Sequence, residues 1–492
     1  MHVVDSLAVP SAAAADLRRR PLGPGLMTLY GSGAVADAVV QAALASFLFF
    51  YLTAVCGLSN TLTGVSLFVA LAVDAVADPL VGSISDNSHT RWGRRHPFML
   101  AGAAPLAIAL GLLFSIPSGL SGGWLFAYAT AISIALRVSQ SVVVLPYIAL
   151  GAELSDDYAE RTNIVAMRAL FTVVGTILCL SLGLQVFLGG PRGLFHRTAY
   201  APFGWSIAGV ALASVLVASF GTLPALPRLH RVAPATGSLA RRLLRDMVEL
   251  FGNRSFVILF LTVLLLFTGV GTASTLGLHA MKFFWKLPPA AIQAVSLAAP
   301  VGILLGVPFS VFVSNRFEKR RVVIVSLAIL TLYYAILPVL EIAGVLPSGQ
   351  SLWVLLFCLT LVVGAVTACA GIGFQSMMAD AADEHECLFG TRREGLYFAG
   401  LNFAGKAATG LGALVAGVGL DLIGFPTNLA AKAGPSLAIA APVLTRLGVV
   451  IGPGVAVIYV LSTLIFLGYR LDRPAYARIQ ATLEARRRAA AP

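Results

Sequence analysis

Apolar residues fill this chain in runs of about twenty or more, broken by short clusters of Gly, Pro and charge. The runs lie near 27–55, 60–84, 97–117, 123–151, 164–187 and 204–224, then near 255–283, 290–314, 321–343, 351–378, 394–423 and 442–469. A bilayer core of about 30 Å needs about 20 consecutive apolar residues in a helix. The pattern therefore predicts an all-α, polytopic membrane protein of about twelve transmembrane helices. A polar stretch, 225–253, separates six runs from six. The expected organisation is a tail (1–26), a six-helix bundle (27–224), a linker (225–253), a second bundle (254–470) and a tail (471–492). Within the linker, Ser238 to Phe251 carries basic residues between apolar ones at helical spacing. That spacing predicts an amphipathic helix on the membrane surface.

Composition agrees. Of 492 residues, 58% are hydrophobic and 11% charged, against about 25% charged in an ordinary soluble domain. The net charge of +12 does not call for a nucleic-acid partner, because the basic residues are sided. With both ends inside, the inner segments hold Arg18 to Arg20, Arg91, Arg94, Arg95, Arg161, Arg241, Arg242, Arg245, Lys319 to Arg321, Arg392, Arg393 and the cluster Arg470 to Arg488. The outer segments hold few, such as Arg192, Arg197, Lys282 and Lys286. Positive residues collect on the cytoplasmic side, so both termini are expected in the cytoplasm and the chain in the inner (plasma) membrane. Residues 1–25 lack the apolar core of a signal peptide. The five cysteines show no C-x-x-C pair and no metal-ligand spacing. Neither H-E-x-x-H nor G-x-x-x-x-G-K-[ST] occurs, which argues against an enzyme and against ATP-driven pumping.

The halves carry a weak repeat. Pro79-Leu-Val-Gly-Ser-Ile-Ser-Asp86 precedes a basic cluster after the second span, and Pro308-Phe-Ser-Val-Phe-Val-Ser-Asn315 precedes another after the eighth. Two related six-span halves are the layout of a major-facilitator carrier, with its site between them at mid-membrane.

Charges inside spans cost about 2.5–3.5 kcal/mol on insertion scales and mark function or pairing. This chain carries Asp37 in the first span, Asp74 and Asp78 in the second, and Arg137 with Gln140 in the fourth. Arg168 lies early in the fifth span, and Asn402 and Lys406 lie in the eleventh. Asp74 and Asp78 are separated by about 40° around a helix and share one face. Two adjacent carboxylates cannot both ionise cheaply, so one must take a proton, a cation or a basic side chain. Coupling and simple charge compensation by Arg137 or Arg168 both remain open from spacing alone. Asp37 reads equally as a ligand contact or a packing charge. Lys406 reads as a partner of the acidic pair or as a substrate contact.

Three segments together resemble the glycoside–pentoside–hexuronide:cation symporter family, a major-facilitator branch that includes melibiose permease. They are Asp74-Ala-Val-Ala-Asp-Pro-Leu-Val-Gly with Arg91-Trp-Gly-Arg-Arg-His-Pro97; Pro146-Tyr-Ile-Ala-Leu-Gly-Ala-Glu153 through Asp156 and Arg161; and Ala379-Asp-Ala-Ala-Asp-Glu-His-Glu386 with Arg392. The resemblance implies that Asp74 and Asp78 form a cation site, that Arg168 matters for conformation, and that Lys406 lies near the binding site. Two positions depart from the family. Val144 stands where an acidic residue is expected in the fourth span, and Ala38 stands where one is expected in the first. Asp37 is one residue earlier, turned by about 100°. Fewer carboxylates weaken a sodium cage more than a proton site, so H+ is favoured over Na+ as the coupling ion, with no other cofactor.

The expected function is alternating-access symport of a sugar or glycoside by a carrier that works as a monomer. Its substrate contacts would come from Asp37, Arg137, Gln140, Tyr147, Arg168, Asn402 and Lys406. Aromatic residues such as Phe49, Phe50, Tyr51, Trp124, Tyr128, Phe374 and Tyr397 are candidates to stack on a sugar, although helical spacing suits packing as well. Asp86, Arg91, Arg94, Arg95, Glu153, Asp156, Arg161, Asp380, Asp383, Glu386 and Arg392 sit at inner helix ends. They suggest ion pairs between the halves that close the inner side in the outward-facing state. Rival readings are a lysophospholipid or other amphipathic-solute carrier and a non-transporting membrane sensor.

Overall fold

A computed structural model describes residues 22–88, 90–155, 157–189, 193–228, 250–390, 394–432 and 439–489. Twelve helices among these are long and apolar enough to cross a membrane, which makes this a multi-pass membrane protein. They are α1 (Pro24–Leu48), α2 (Asn60–Asp86), α3 (His96–Leu113), α4 (Gly122–Glu153), α5 (Ala159–Phe187), α6 (Arg197–Pro227), α7 (Arg254–Phe284), α8 (Pro289–Val313), α9 (Lys319–Ile342), α10 (Gln350–Phe389), α11 (Glu394–Leu422) and α12 (Ala441–Phe466). A short amphipathic helix, α13 (Arg473–Ala489), follows. The amphipathic helix expected in the linker lies outside the described residues apart from its last two.

Local chemistry sets several helix starts. Ser59 accepts from the Leu62 amide at 3.2 Å at the head of α2, and Asp157 accepts from the Glu160 amide at 2.9 Å at the head of α5. Asn253 accepts from the Ser255 amide at 2.8 Å at the head of α7. Each side chain satisfies one of the amide donors that a helix start leaves free. Two of the boundaries that differ from the hydropathy reading have a visible cause. α10 runs past 378 to Phe389 through an acidic stretch, because Ala381, Ala382 and His385 are buried there and α13 packs beside them. α6 starts at Arg197, whose guanidinium donates to the Pro117 carbonyl at 3.2 Å. Both segments draw their order from tertiary partners that a hydropathy window does not see.

The halves, α1–α6 and α7–α12, are tied together at the face opposite the tails. One continuous apolar core there joins Phe50 and Leu58 of the first half to Phe284, Phe425 and Ile451 of the second. A separate core, with Phe256, Leu327, Phe374 and Tyr397, lies wholly in the second half. Hydrogen bonds reinforce the joint. The Asn428 amide donates to the Thr53 carbonyl at 2.9 Å, the Asn60 amide side chain to Asp421 at 2.8 Å, and Gln293 to Ser181 at 2.9 Å. Gln185 also donates to Gln293.

α2 and α11 are the closest pair across this joint, and glycine makes it so. A Cβ on Gly64 would sit 2.7 Å from the Ala413 carbonyl oxygen, and one on Gly417 would overlap the Asn60 carbonyl. Small residues at helix crossings let backbones approach closely in a bilayer, where apolar burial alone gives little drive. This contact carries the site at mid-membrane, because both α2 carboxylates and Lys406 lie farther along the same two helices.

Candidate functional site

Asp74 and Asp78 lie one turn apart on α2, and Asp74 is 3% exposed. Lys406 of α11 reaches both: its Nζ is 2.9 Å from Asp74 Oδ2 and also bonds Asp78 Oδ2. The lysine side chain keeps 38% of its surface exposed, so the pair is reachable from water. On the other side, Ser141 Oγ of α4 lies 2.7 Å from Asp74 Oδ1 and 2.7 Å from Asp78 Oδ1. An ammonium has three hydrogens and serves both carboxylates; a hydroxyl has one and serves a single carboxylate. The Ser141 hydroxyl also lies 3.2 Å from the Arg137 carbonyl.

A second polar chain starts one turn before Ser141. Arg137 Nη1 donates to Gln41 Oε1 at 3.2 Å and to Gln140 Oε1 at 3.4 Å. Gln140 in turn donates to Asp37 Oδ1 at 2.7 Å. Asp37 therefore does not stand alone. Through Gln140 and Arg137 it is linked to the helix that also presents Ser141 to the acidic pair.

Between the halves lies a cavity of about 500 Å³. Asp37, Gln41, Thr172 and Thr176 line it from the first half, and Trp285, Tyr333 and Thr360 from the second. Ala38 lines it as well, so the one-residue offset of the acidic position leaves Asp37 on the same wall. Arg137 borders an adjoining small pocket with Gln41, Ser274 and Thr409.

Other expected contacts are placed elsewhere. Tyr147 is 3% exposed and stacks on Tyr30 with ring centroids 4.7 Å apart. Each phenol donates to the other residue's backbone carbonyl, at 3.3 and 3.1 Å, and Arg168 sits beside the Tyr30 phenol. Tyr147 and Arg168 thus join α1, α4 and α5 rather than line the cavity. Asn402 is exposed on α11, away from the cavity wall. Phe49, Phe50, Tyr51, Phe374 and Tyr397 are buried packing residues, and Trp124 is 79% exposed. The Tyr128 phenol donates to the Leu112 carbonyl.

At the tail-bearing face, several expected gating charges are paired within one half. Arg94 and Arg95 both bond Glu153 at 2.9 Å, and Arg95 also bonds Asp86 at 2.6 Å. Lys319 bonds Asp380 at 2.7 Å, and the Tyr476 phenol donates to Asp383 at 2.8 Å. Arg161 donates to the Ser155 carbonyl at 2.7 Å, Arg91 lies over the Trp92 ring, and Glu386 is on the extended part of α10. Asp156 and Arg392 lie outside the described residues.

Sequence reasoning missed Ser141, Gln41, Thr172, Thr176, Trp285, Tyr333 and Thr360. For two of them a signal existed. Gln41 is one turn after Asp37 and Ser141 one turn after Arg137, the spacing that puts side chains on one helical face. The rest are ordinary residues of apolar spans, distinguished only by the wall they share.

Residues 29–473 match the family described as MFS/sugar transport protein. An uncharacterized symporter from Synechocystis is 27% identical over 462 residues, covering 80% of this chain and 85% of that protein. The isoprimeverose transporter of Lactiplantibacillus pentosus is 26% identical over 400 residues, covering 79% and 78%. In three dimensions the chain is similar to the nucleoside transporter NupG, with a TM-score of 0.64, 14% identity and coverage of 91% and 100%. That likeness shows the major-facilitator fold, and these relatives are transporters rather than enzymes. With nearly its whole length matched, the chain belongs to the MFS/sugar transport protein family, and it is a secondary transporter.

Proposed function

We propose that this protein is a proton-coupled symporter that carries a sugar or glycoside by alternating access, in the inner membrane with both tails in the cytoplasm. The observation that carries this reading is the bond from Lys406, in one half, to both Asp74 and Asp78, in the other. Neutralising one carboxylate weakens an attachment between the halves, so the charge state of the pair biases their relative position. Ser141, with a single hydrogen between two carboxylates, favours a proton as the neutralising ion. The excess of arginine and lysine in the tail-bearing segments supports the cytoplasmic orientation. The joint opposite the tails then makes this an arrangement sealed on the outside.

Substrate recognition follows from the cavity. Asp37, Gln41, Thr172 and Thr176 offer donors and acceptors to sugar hydroxyls, and Trp285 offers a ring face on the opposite wall. A hydroxyl that bonds Asp37 competes with Gln140 and so reaches the Arg137 chain. One charge crossing about 100 mV supplies about 2.3 kcal/mol, enough for about fiftyfold accumulation. The apolar part of the wall, which includes Phe47, Leu180, Leu184 and Ile303, favours a second reading, an amphipathic solute such as a lysophospholipid.

The test is flux in proteoliposomes that hold the purified protein. Glycosides, uronides and a lysophospholipid are offered under a pH gradient and then a sodium gradient, with wild type beside Asp78→Asn. Sugar uptake driven by the pH gradient and lost in the variant is expected. Uptake under sodium alone overturns proton coupling, and lysophospholipid uptake without sugar uptake overturns the sugar assignment.

A further inference from the structure

We propose that the tail-bearing face carries a separate binding site for a phosphate ester, formed by Arg254, Arg470 and Arg478. These residues come from the head of α7, the segment after α12 and helix α13, and they surround one pocket of about 420 Å³ with Glu384, Ser255 and Thr482. The pocket shares none of the cavity's lining residues.

Some of the basic residues on this face are paired with carboxylates. Arg94, Arg95 and Lys319 all hold carboxylates at 2.6–2.9 Å. By contrast, among the described residues no ion pair or side-chain hydrogen bond engages the guanidinium groups of Arg254, Arg470 or Arg478. Three positive charges thus face one carboxylate, and all three side chains are exposed. Guanidinium forks match the oxygen spacing of a phosphate and bind it through paired, charge-assisted hydrogen bonds.

Glu384 narrows the ligand. It is the one carboxylate among the residues that line the pocket, and a carboxylate only accepts hydrogen bonds. A bare phosphate gives it no hydrogen to accept in the dianionic form. A phosphate ester with a neighbouring hydroxyl or ammonium serves the arginines and Glu384 together. Glycerophospholipid headgroups have this chemistry, and so do soluble sugar phosphates. Position favours the lipid. Arg254 and Gly468 flank the ends of two spans, at the depth where headgroups lie, and Ile258 and Ile479 give the pocket apolar walls.

The experiment uses the full-length protein in detergent. Binding of phosphatidylglycerol, phosphatidylethanolamine, phosphatidylcholine and glycerol 3-phosphate is measured by native mass spectrometry. Wild type is compared with Arg470→Gln/Arg478→Gln, with Arg470→Lys/Arg478→Lys, and with Arg488→Gln as a charge-loss control on the same helix. Phosphatidylglycerol or phosphatidylethanolamine should be retained over phosphatidylcholine, and the Gln pair should lower retention by about tenfold. The Lys pair should fall between the two, and Arg488→Gln should match wild type. Retention of glycerol 3-phosphate with the same variant pattern supports the site and assigns it to a soluble ester. Equal loss in Arg488→Gln, or equal retention in all variants, overturns it. Size-exclusion profiles identify any variant that fails to fold, and the Lys pair then carries the comparison.

Discussion

Asp421, at the end of α11, accepts a hydrogen bond from the Asn60 side chain of the other half at 2.8 Å. Its second oxygen accepts from the Thr61 backbone amide at 2.8 Å. One carboxylate therefore caps the head of α2 from the opposite half, where the helix dipole favours negative charge. The same two helices join Lys406 to Asp74 farther along their length, so this face and the Asp74–Asp78–Lys406 cluster are two ends of one contact.

Asp421→Ala removes two charge-assisted bonds of about 1.5–3 kcal/mol each. The joint opposite the tails should open more often. Spin labels at Ser118 and Ser348, exposed on that face in different halves, should show a new, longer distance population. An unchanged distribution would mean that the apolar core alone holds the joint.

Gly417→Val acts on the same contact by sterics, because its side chain would run into the Asn60 backbone. The same label pair should report separation, and uptake should fall, with the protein still eluting as one species. A valine at Gly405, where a Cβ would meet only Phe267 at 3.9 Å, should be tolerated far better.

Lys406→Met leaves the acidic pair without its ammonium. Breaking a fully buried ion pair from one side costs about 3–5 kcal/mol; with Lys406 part-exposed the cost is smaller, so the melting temperature should drop modestly and gradient-driven uptake should vanish. Adding Asp74→Asn should restore much of the lost stability without restoring uptake. A melting temperature unmoved by Lys406→Met would show that the lysine is not a structural partner of the pair.

Arg94→Glu should abolish transport while leaving the protein folded, because it sets two acids together at Arg94 and Glu153 where an ion pair now stands. Full uptake by this variant would remove the pair from the transport cycle.

Tyr476 anchors α13 to α10 through Asp383, beside Arg486, which donates to the Cys387 carbonyl at 3.0 Å. Burial, followed by the nearby Asp383, pushes the Tyr476 phenol up to about 12 from the usual 10.0. An acid raised on folding contributes stability that is complete below its unfolded value and is lost as pH climbs through the folded one. Hydrogen exchange of α13, corrected for intrinsic rate, should therefore be flat from about pH 6 to 9. Tyr476→Phe should speed that exchange at every pH in the range.

Much of the architecture was legible before any coordinates. Each span is a local run whose transfer into lipid is favourable on its own, and basic residues mark their ends, so Asp74 and Asp78 could be placed on one helical face by spacing alone. The boundaries at α10 and α6 moved because distant segments bury or bond the polar residues there. The aromatic residues, for which helical spacing suited packing as well as stacking, could not be sorted by sequence for a related reason. Phe49, Phe50 and Tyr51 follow one another in a span, and nothing local tells which faces a cavity and which a neighbouring helix.

What this sequence determined by itself was the number of spans and the acidic face of α2, because each depends on residues within a few turns of one another. Tertiary structure alone decided that Lys406 bonds both carboxylates, that Ser141 sits between them, that Asp37 reaches Arg137 through Gln140, and that Trp285 and Asp37 line one cavity. Those relationships join residues from different helices, and their geometry follows from how glycines such as Gly64 and Gly417 let the helices approach. No periodicity within one segment records that approach.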